Sequence, residues 1–166
     1  VPVPRRASLS AQLATLLSAG GLHDDARAVL DTALGGLDAR AEPVAWAELS
    51  LTQARALLSR GGVRKDDVEA AILALGRALR PISKETHPEV WGAVQLSLGQ
   101  ALRIRMTGDK QRNVDEAAAA FAHAAGALAQ GTSAWGLAQQ GIGVCLITTL
   151  RGDGGQLLRL GPHHNL

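Results

Sequence analysis
Cys145 is the only thiol among 166 residues, and a cysteine thiolate is an intrinsically strong nucleophile. To act as one it needs a base at hydrogen-bonding distance and a polar, partly open setting that lowers its pKa. No histidine shares the segment around Cys145, and nothing in the pattern places His123 beside it. A small, soft side chain there reads as packing. His163-His164 would need metal ligands from elsewhere, and no Cys/His spacing supplies them. Gly61-Gly62-Val63-Arg64-Lys65 lacks the strand before it and the Gly-Lys-Ser/Thr ending of a phosphate loop. No Gly-x-Ser-x-Gly, His-Glu-x-x-His or dinucleotide fingerprint occurs in the sequence. The expectation is a non-enzymatic chain with no catalytic, metal or cofactor-binding residues.

A period organises the rest. Trp46, Trp91 and Trp135 stand 45 and 44 residues apart. Eight residues after each comes Ala54, Gly99 or Gly143, ten after comes Ala56, Ala101 or Cys145, and eleven after comes Leu57, Leu102 or Leu146. Between them, Ala26-x-x-x-Leu30-x-x-Ala33 recurs as Ala71-x-x-x-Leu75-x-x-Ala78 and as Ala117-x-x-x-Phe121-x-x-Ala124. Positions i, i+4 and i+7 share one face of a helix. Small residues let helices approach closely, while Leu, Phe and Trp fill the space between layers.

The pattern predicts an all-α, right-handed helical-hairpin solenoid of about three and a half units. Trp46, Trp91 and Trp135 would anchor it, each contributing up to roughly 5 kcal/mol if about 200 Å² is buried. Ala54, Gly99, Gly143, Ala26, Ala71 and Ala117 would be the close-contact positions. In this register Cys145 takes the slot of Ala56 and Ala101. Arg151-Gly152-Asp153 spells a cell-adhesion tripeptide, but Gly152 follows Trp135 by 17 residues as Gly108 follows Trp91, so both read as loop glycines.

Composition agrees. The chain is 46% apolar but only 2% aromatic, without tyrosine, which suits close-packed helices and argues against a β-sandwich or barrel. A net charge of +2 is too slight to predict nucleic-acid binding. A lone cysteine excludes an internal disulfide framework, so a reducing, cytoplasmic setting is expected, and no apolar run reaches the roughly 18 residues that span a bilayer.

Residues 1–7, with Pro2 and Pro4, are expected to be extended. A repeat domain over 8–150 follows, divided into units at 8–40, 41–86, 87–131 and 132–150, with a Gly-rich tail over 151–166. Ser8 or Ser10 would cap the first helix, which stops at Gly20-Gly21. Pro43 and Pro88 open the first helices of units two and three, and Asn113 would cap the second helix of unit three. The fourth unit shows no second alanine thread, as if the array were cut within a unit of something longer.

Leu98-Gly99-x-x-Leu102 followed by Ala117-x-x-x-Phe121-x-x-Ala124 resembles the tetratricopeptide repeat superfamily. So does Leu13-Ala14-x-x-Leu17, with Ala26 twelve residues after Ala14. Trp91-x-x-x-Gln95-x-x-Leu98-Gly99, continuing through Arg105, Gly108-Asp109-Lys110, Asn113 and Ala117, is similar to the extended repeats that accompany CHAT domains, which are caspase-like cysteine peptidases. The resemblance spans roughly residues 8–152. It departs at Gln53-Ala54, where Leu-Gly is the pattern.

The resemblance implies a protein-interaction scaffold that takes a peptide or partner helix on the concave face formed by first helices. Carried over by position, the groove residues would be Thr15 and Ser18, Arg55 and Leu58, Gln100 and Arg103, and Gln140, Val144 and Ile147. Arginine grips carboxylates in two parallel hydrogen bonds, so an acidic or C-terminal peptide suits Arg55 and Arg103. The alternative is the regulatory segment of a CHAT-type peptidase whose catalytic domain lies outside this chain. Arg60, Arg64, Lys65, Arg105, Lys110 and Arg112 would line one loop edge, but without interleaved aromatics a nucleic-acid partner is not expected. The unpaired last helix is expected to self-associate or to fray after about Ser133.

Overall fold
The computed structural model describes residues 2–159, and their side chains as far as Gly152. Seven α-helices follow one another: α1 (Val3–Ala19), α2 (His23–Gly35), α3 (Pro43–Leu58), α4 (Lys65–Ala78), α5 (Pro88–Arg103), α6 (Lys110–Ala127) and α7 (Ser133–Arg159). They pair as hairpins α1–α2, α3–α4 and α5–α6, and α7 packs on α6 and α5. No strand occurs among the described residues.

Two layers emerge from the contacts. The odd helices form a continuous row, α1 on α3, α3 on α5 and α5 on α7. Among the described residues the backbones of α2, α4 and α6 do not approach one another; each packs on its own partner and on the next odd helix. Helices on the inside of a curved stack stand closer than those outside, so the concave side belongs to the odd row. The architecture is an all-α helical-hairpin solenoid.

The alanine threads make the core. Ala26, Leu30, Ala71, Leu75, Ala78, Ala117, Phe121 and Ala124 are all buried. They divide among three clusters, each shared by one hairpin and the first helix of the next. Each hairpin turns through a glycine with positive φ, at Gly21 (+80°), Gly62 (+76°) and Gly108 (+77°), a conformation that other residues resist.

A tie between units recurs fourteen residues after each tryptophan. Arg60 Nη2 donates to Asp24 Oδ1 at 2.9 Å, joining the end of α3 to α2. Arg105 grips Glu69 of α4 with two bonds of 2.8 Å from Nε and Nη2, and Thr107 Oγ1 also donates to Glu69. In the last unit Thr149 takes the arginine's place and accepts from Gln111 Nε2 of α6 at 3.1 Å.

Several expectations need correction. Residues 3–7 are helical, not extended: Pro2 is the N-cap and Pro4 lies in the first turn, where a missing N–H costs nothing. Ser8 and Ser10 are therefore inside α1 rather than capping it. Asp109, not Asn113, caps α6, accepting from the Arg112 N–H at 2.7 Å. Asn113 is buried instead, and its Nδ2 ties to the Thr107 carbonyl at 2.7 Å. Helix α7 runs through Gly152-Asp153 to Arg159, so the tripeptide is not a turn and the Gly-rich tail does not begin at 151. Glycine weakens a helix interior by about 1 kcal/mol without forbidding it. The rest of that tail, with His163-His164, lies outside the described residues, as does Val1.

The tryptophans also differ from expectation. All three are half-buried rather than core. Each sits near the start of its helix. Trp91 packs against the central cluster and, with ring centroids 5.7 Å apart, against His123. The full burial falls three residues later, on Leu49, Val94 and Ala138. Among the small positions, Ala54 and Gly99 are buried, but Gly143 is only half-buried.

Candidate functional site
The concave side carries a groove of about 980 Å³ that crosses α1, α3 and α5. Ser8, Ala11, Gln12, Thr15 and Leu16 form one wall, and Val44, Glu48, Leu51, Thr52 and Arg55 form the floor. His87, Pro88, Glu89, Val90 and Ala93 close the far side. The floor residues are spaced 4, 3, 1 and 3 apart, one face of a helix. That face adjoins the one on which Ala47 and Ala54 enter the core, and Leu51 belongs to both.

The far wall is held by the loop that leads into α5. Ser83 and Thr86 bond to each other through side chains and backbone, with Thr86 N–H donating to Ser83 Oγ at 3.1 Å. Thr86 Oγ1 in turn lies 2.9 Å from His87 Nδ1, which fixes the imidazole at the rim.

Three polar side chains of the groove, Thr15, Thr52 and His87, are already engaged. Thr15 and Thr52 donate back to the carbonyls of Ala11 and Glu48, one turn earlier, at 2.8 and 2.9 Å. Arg55 is different: among the described residues it takes part in no ion pair. Its surface is open to solvent, yet the surrounding walls desolvate the guanidinium enough to lower its pKa. Arginine keeps its charge nonetheless. The groove thus offers a fixed cation one helical turn from Leu51, with Val90 and the acceptors Glu48 and Glu89 further along.

Of the positions carried over from the resemblance, Thr15 and Arg55 line this groove. Leu58 is half-buried, packs against the central cluster and does not border the groove. Gln100 is half-buried and Arg103 exposed, and neither borders the groove. The cavity stops at Ala93 because Leu96, the next turn of α5, joins the core shared with α7. Gln140 and Ile147 are exposed on α7, away from it. Arg103 and Val144 border a separate shallow hollow of about 360 Å³. Sequence reasoning missed Glu48, Thr52, Val90 and Ala93, which a helical wheel through Arg55 and the start of α5 would have flagged.

Elsewhere, Cys145 is buried at the α5–α6–α7 core, and that burial pushes its thiol pKa up, which suits packing. Of the basic loop edge, Arg60, Arg105 and Arg112 are each paired with a carboxylate, whereas Arg64, Lys65 and Lys110 are exposed and, among the described residues, in no ion pair. A cavity of about 490 Å³ between α2, α3 and α4 holds the Arg60–Asp24–Asp67 cluster. Among the described residues no three His, Cys, Asp or Glu side chains are arranged to hold a metal ion. No described helix is long and apolar enough to cross a membrane.

No protein-family model, no curated protein and no solved structure matches the chain.

Proposed function
We propose that the chain is a non-catalytic protein-interaction scaffold whose concave groove holds a peptide segment ending in, or carrying, a carboxylate next to an apolar side chain. The observation that carries this reading is Arg55. It is charged, partly desolvated by the groove walls and, among the described residues, in no ion pair; Leu51 lies one turn away on α3, and Val44, Val90 and Ala93 line the same groove. A carboxylate on Arg55 would form a charge-assisted pair, and the neighbouring patch would bury the adjacent side chain.

The alanine-thread spacing supports a tetratricopeptide-like assignment for the array. The narrower proposal, a regulatory arm for a CHAT-type cysteine peptidase, draws on the long inter-helix loops over 59–64 and 104–109, each anchored by an arginine tie. With one buried cysteine, a reducing, cytoplasmic setting fits best.

Fluorescence anisotropy with an array of short peptides ending in Leu or Val tests the reading. Free C-termini should bind, amidated ones should lose about tenfold or more, and Arg55→Ala should lose a similar factor. Equal binding of amidated peptides, or full binding to Arg55→Ala, would overturn it.

A further inference from the structure
The groove that holds Arg55 also carries two negative charges, and the three do not neutralise one another. Glu48 and Glu89 line it with Arg55, all three are exposed, and among the described residues none takes part in an ion pair. The helix lattice explains why. Side chains on a helix meet at three- and four-residue spacings, and those neighbours of Glu48 are Val44, Ala45, Leu51 and Thr52. The corresponding neighbours of Arg55 are Leu51, Thr52, Leu58 and Ser59, again without a charge. Around Glu89 they are Glu85, Thr86, Gly92 and Ala93, which offer no cation.

Glu48 and Arg55 are seven residues apart, so they share one face of α3 at a separation of about 10.5 Å along the axis. Taking Trp46 and Trp91 as equivalent, Glu89 falls at the level of Val44, one turn before Glu48 and on the neighbouring helix. Between the charges lie Leu51 and Thr52, whose hydroxyl is already committed to the Glu48 carbonyl. The groove is therefore polarised along its length, with a cation at one end and two anions towards the other. An occupant bearing only carboxylates would bring its further charges against Glu48 and Glu89, and an upstream cation turns that repulsion into attraction.

Resting on the carboxylate reading of Arg55, we propose that the preferred occupant is a dipolar C-terminal peptide: an apolar last residue, with a lysine or arginine two to four residues before it. An extended chain rises about 3.3 Å per residue, so the axial distance from Arg55 to Glu48 spans about three residues. The peptide runs parallel to α3, its carboxylate on Arg55 and its basic side chain on Glu48. It leaves the groove past Glu89, where a second basic residue further upstream finds its partner. A chain leaving Arg55 in the other direction would leave both glutamates unpaired, and an acidic tail is disfavoured.

Fluorescence anisotropy of the full chain with short labelled peptides tests this. Each peptide ends in a free Leu carboxylate, and a single Lys is walked upstream from the residue before it through an otherwise Gly/Ser sequence. Lys two to four residues before the end should tighten binding about two- to fivefold over the Lys-free peptide, as for an exposed ion pair. Glu48→Gln should erase that ratio, and Glu48→Lys should transfer the preference to Asp at the same place. The ratio compares two peptides on one protein, so a folding defect that weakens both leaves it unchanged. Binding that needs the free carboxylate but gains nothing from Lys at any position overturns the inference and leaves the carboxylate reading standing. A gain that survives Glu48→Gln also overturns it. Binding indifferent to amidation overturns both.

Discussion

One methyl group placed at Gly141 and one at Gly143 should have opposite effects, although a single residue separates them. A Cβ on Gly141 would lie 2.6 to 2.7 Å from Cδ1, Cδ2 and Cε1 of Phe121. Carbon pairs are comfortable at about 3.5–4.0 Å, so the overlap is close to 1 Å. The ring has little room to step aside, because α5 also packs on it at Gly99, where even an added Cβ would stand 2.7 Å away, and Phe121 is only 2% exposed. Overpacking of this kind costs about 1–3 kcal/mol, against a gain of about 1 kcal/mol for replacing glycine by alanine in a helix. Gly141→Ala should therefore destabilise by about 1 kcal/mol. At Gly143 the added methyl meets nothing, and only the helix gain of about 1 kcal/mol remains.

The two variants should then differ by about 2 kcal/mol, or roughly 4–8 °C in melting temperature for a chain of this size. Denaturant unfolding followed by circular dichroism at low protein concentration measures it. Phe121→Leu in the Gly141→Ala background should show a favourable coupling, since the smaller side chain relieves the overlap. Equal stabilisation by both alanines would refute the placement of Phe121 between α5 and α7, and with it the helix packing that defines the last unit.

Other consequences are open to measurement. Hydrogen bonds from Arg105 above all, then from Thr107, lower the Glu69 pKa to about 2. A depressed folded-state pKa contributes stability above the unfolded value of about 4.3, and loses it as pH falls towards 2. The stability difference between wild type and Glu69→Gln should thus shrink across that window; a constant difference from pH 5 to pH 2 would contradict the tie. Trp91→Ala should cost about 2–3 kcal/mol, about half the fully buried figure, because the indole is half-exposed. A loss below about 1 kcal/mol would mean that its contacts with the central cluster and His123 carry little. Cys145 should react with thiol reagents only as fast as the core opens, and rapid labelling of the native chain would contradict its burial.

The repeat register made much of this fold legible. Ala26, Ala71 and Ala117 are fully buried, as the i, i+4, i+7 threads require, and the turns fall at Gly20-Gly21, Gly61-Gly62 and Gly108. The ties at Arg60, Arg105 and Thr149 were also within reach, since all three stand fourteen residues after a tryptophan. Helix ends were harder. Pro2 and Pro4 read as extended, yet a first turn accepts proline because its N–H groups are unpaired anyway. Asp109 and Asn113 are both cap-forming types, and only the fold decides that one accepts from the backbone while the other is buried. Periodicity marked the tryptophans as recurrent but could not show that each is only half-buried. The groove crosses the first helices α1, α3 and α5 and no residue of α7, and where it lies along them depends on how neighbouring helices pack. No single-helix pattern contains that information.

The groove is best tested by amide chemical-shift mapping while a short peptide with an apolar last residue and a free carboxylate is titrated in. The account predicts shifts concentrated at Thr15, Leu51, Thr52, Arg55, Val90 and Ala93, and lost in Arg55→Ala. Shifts centred instead on the outer layer, around the exposed Leu73 and Arg77 of α4, would contradict it.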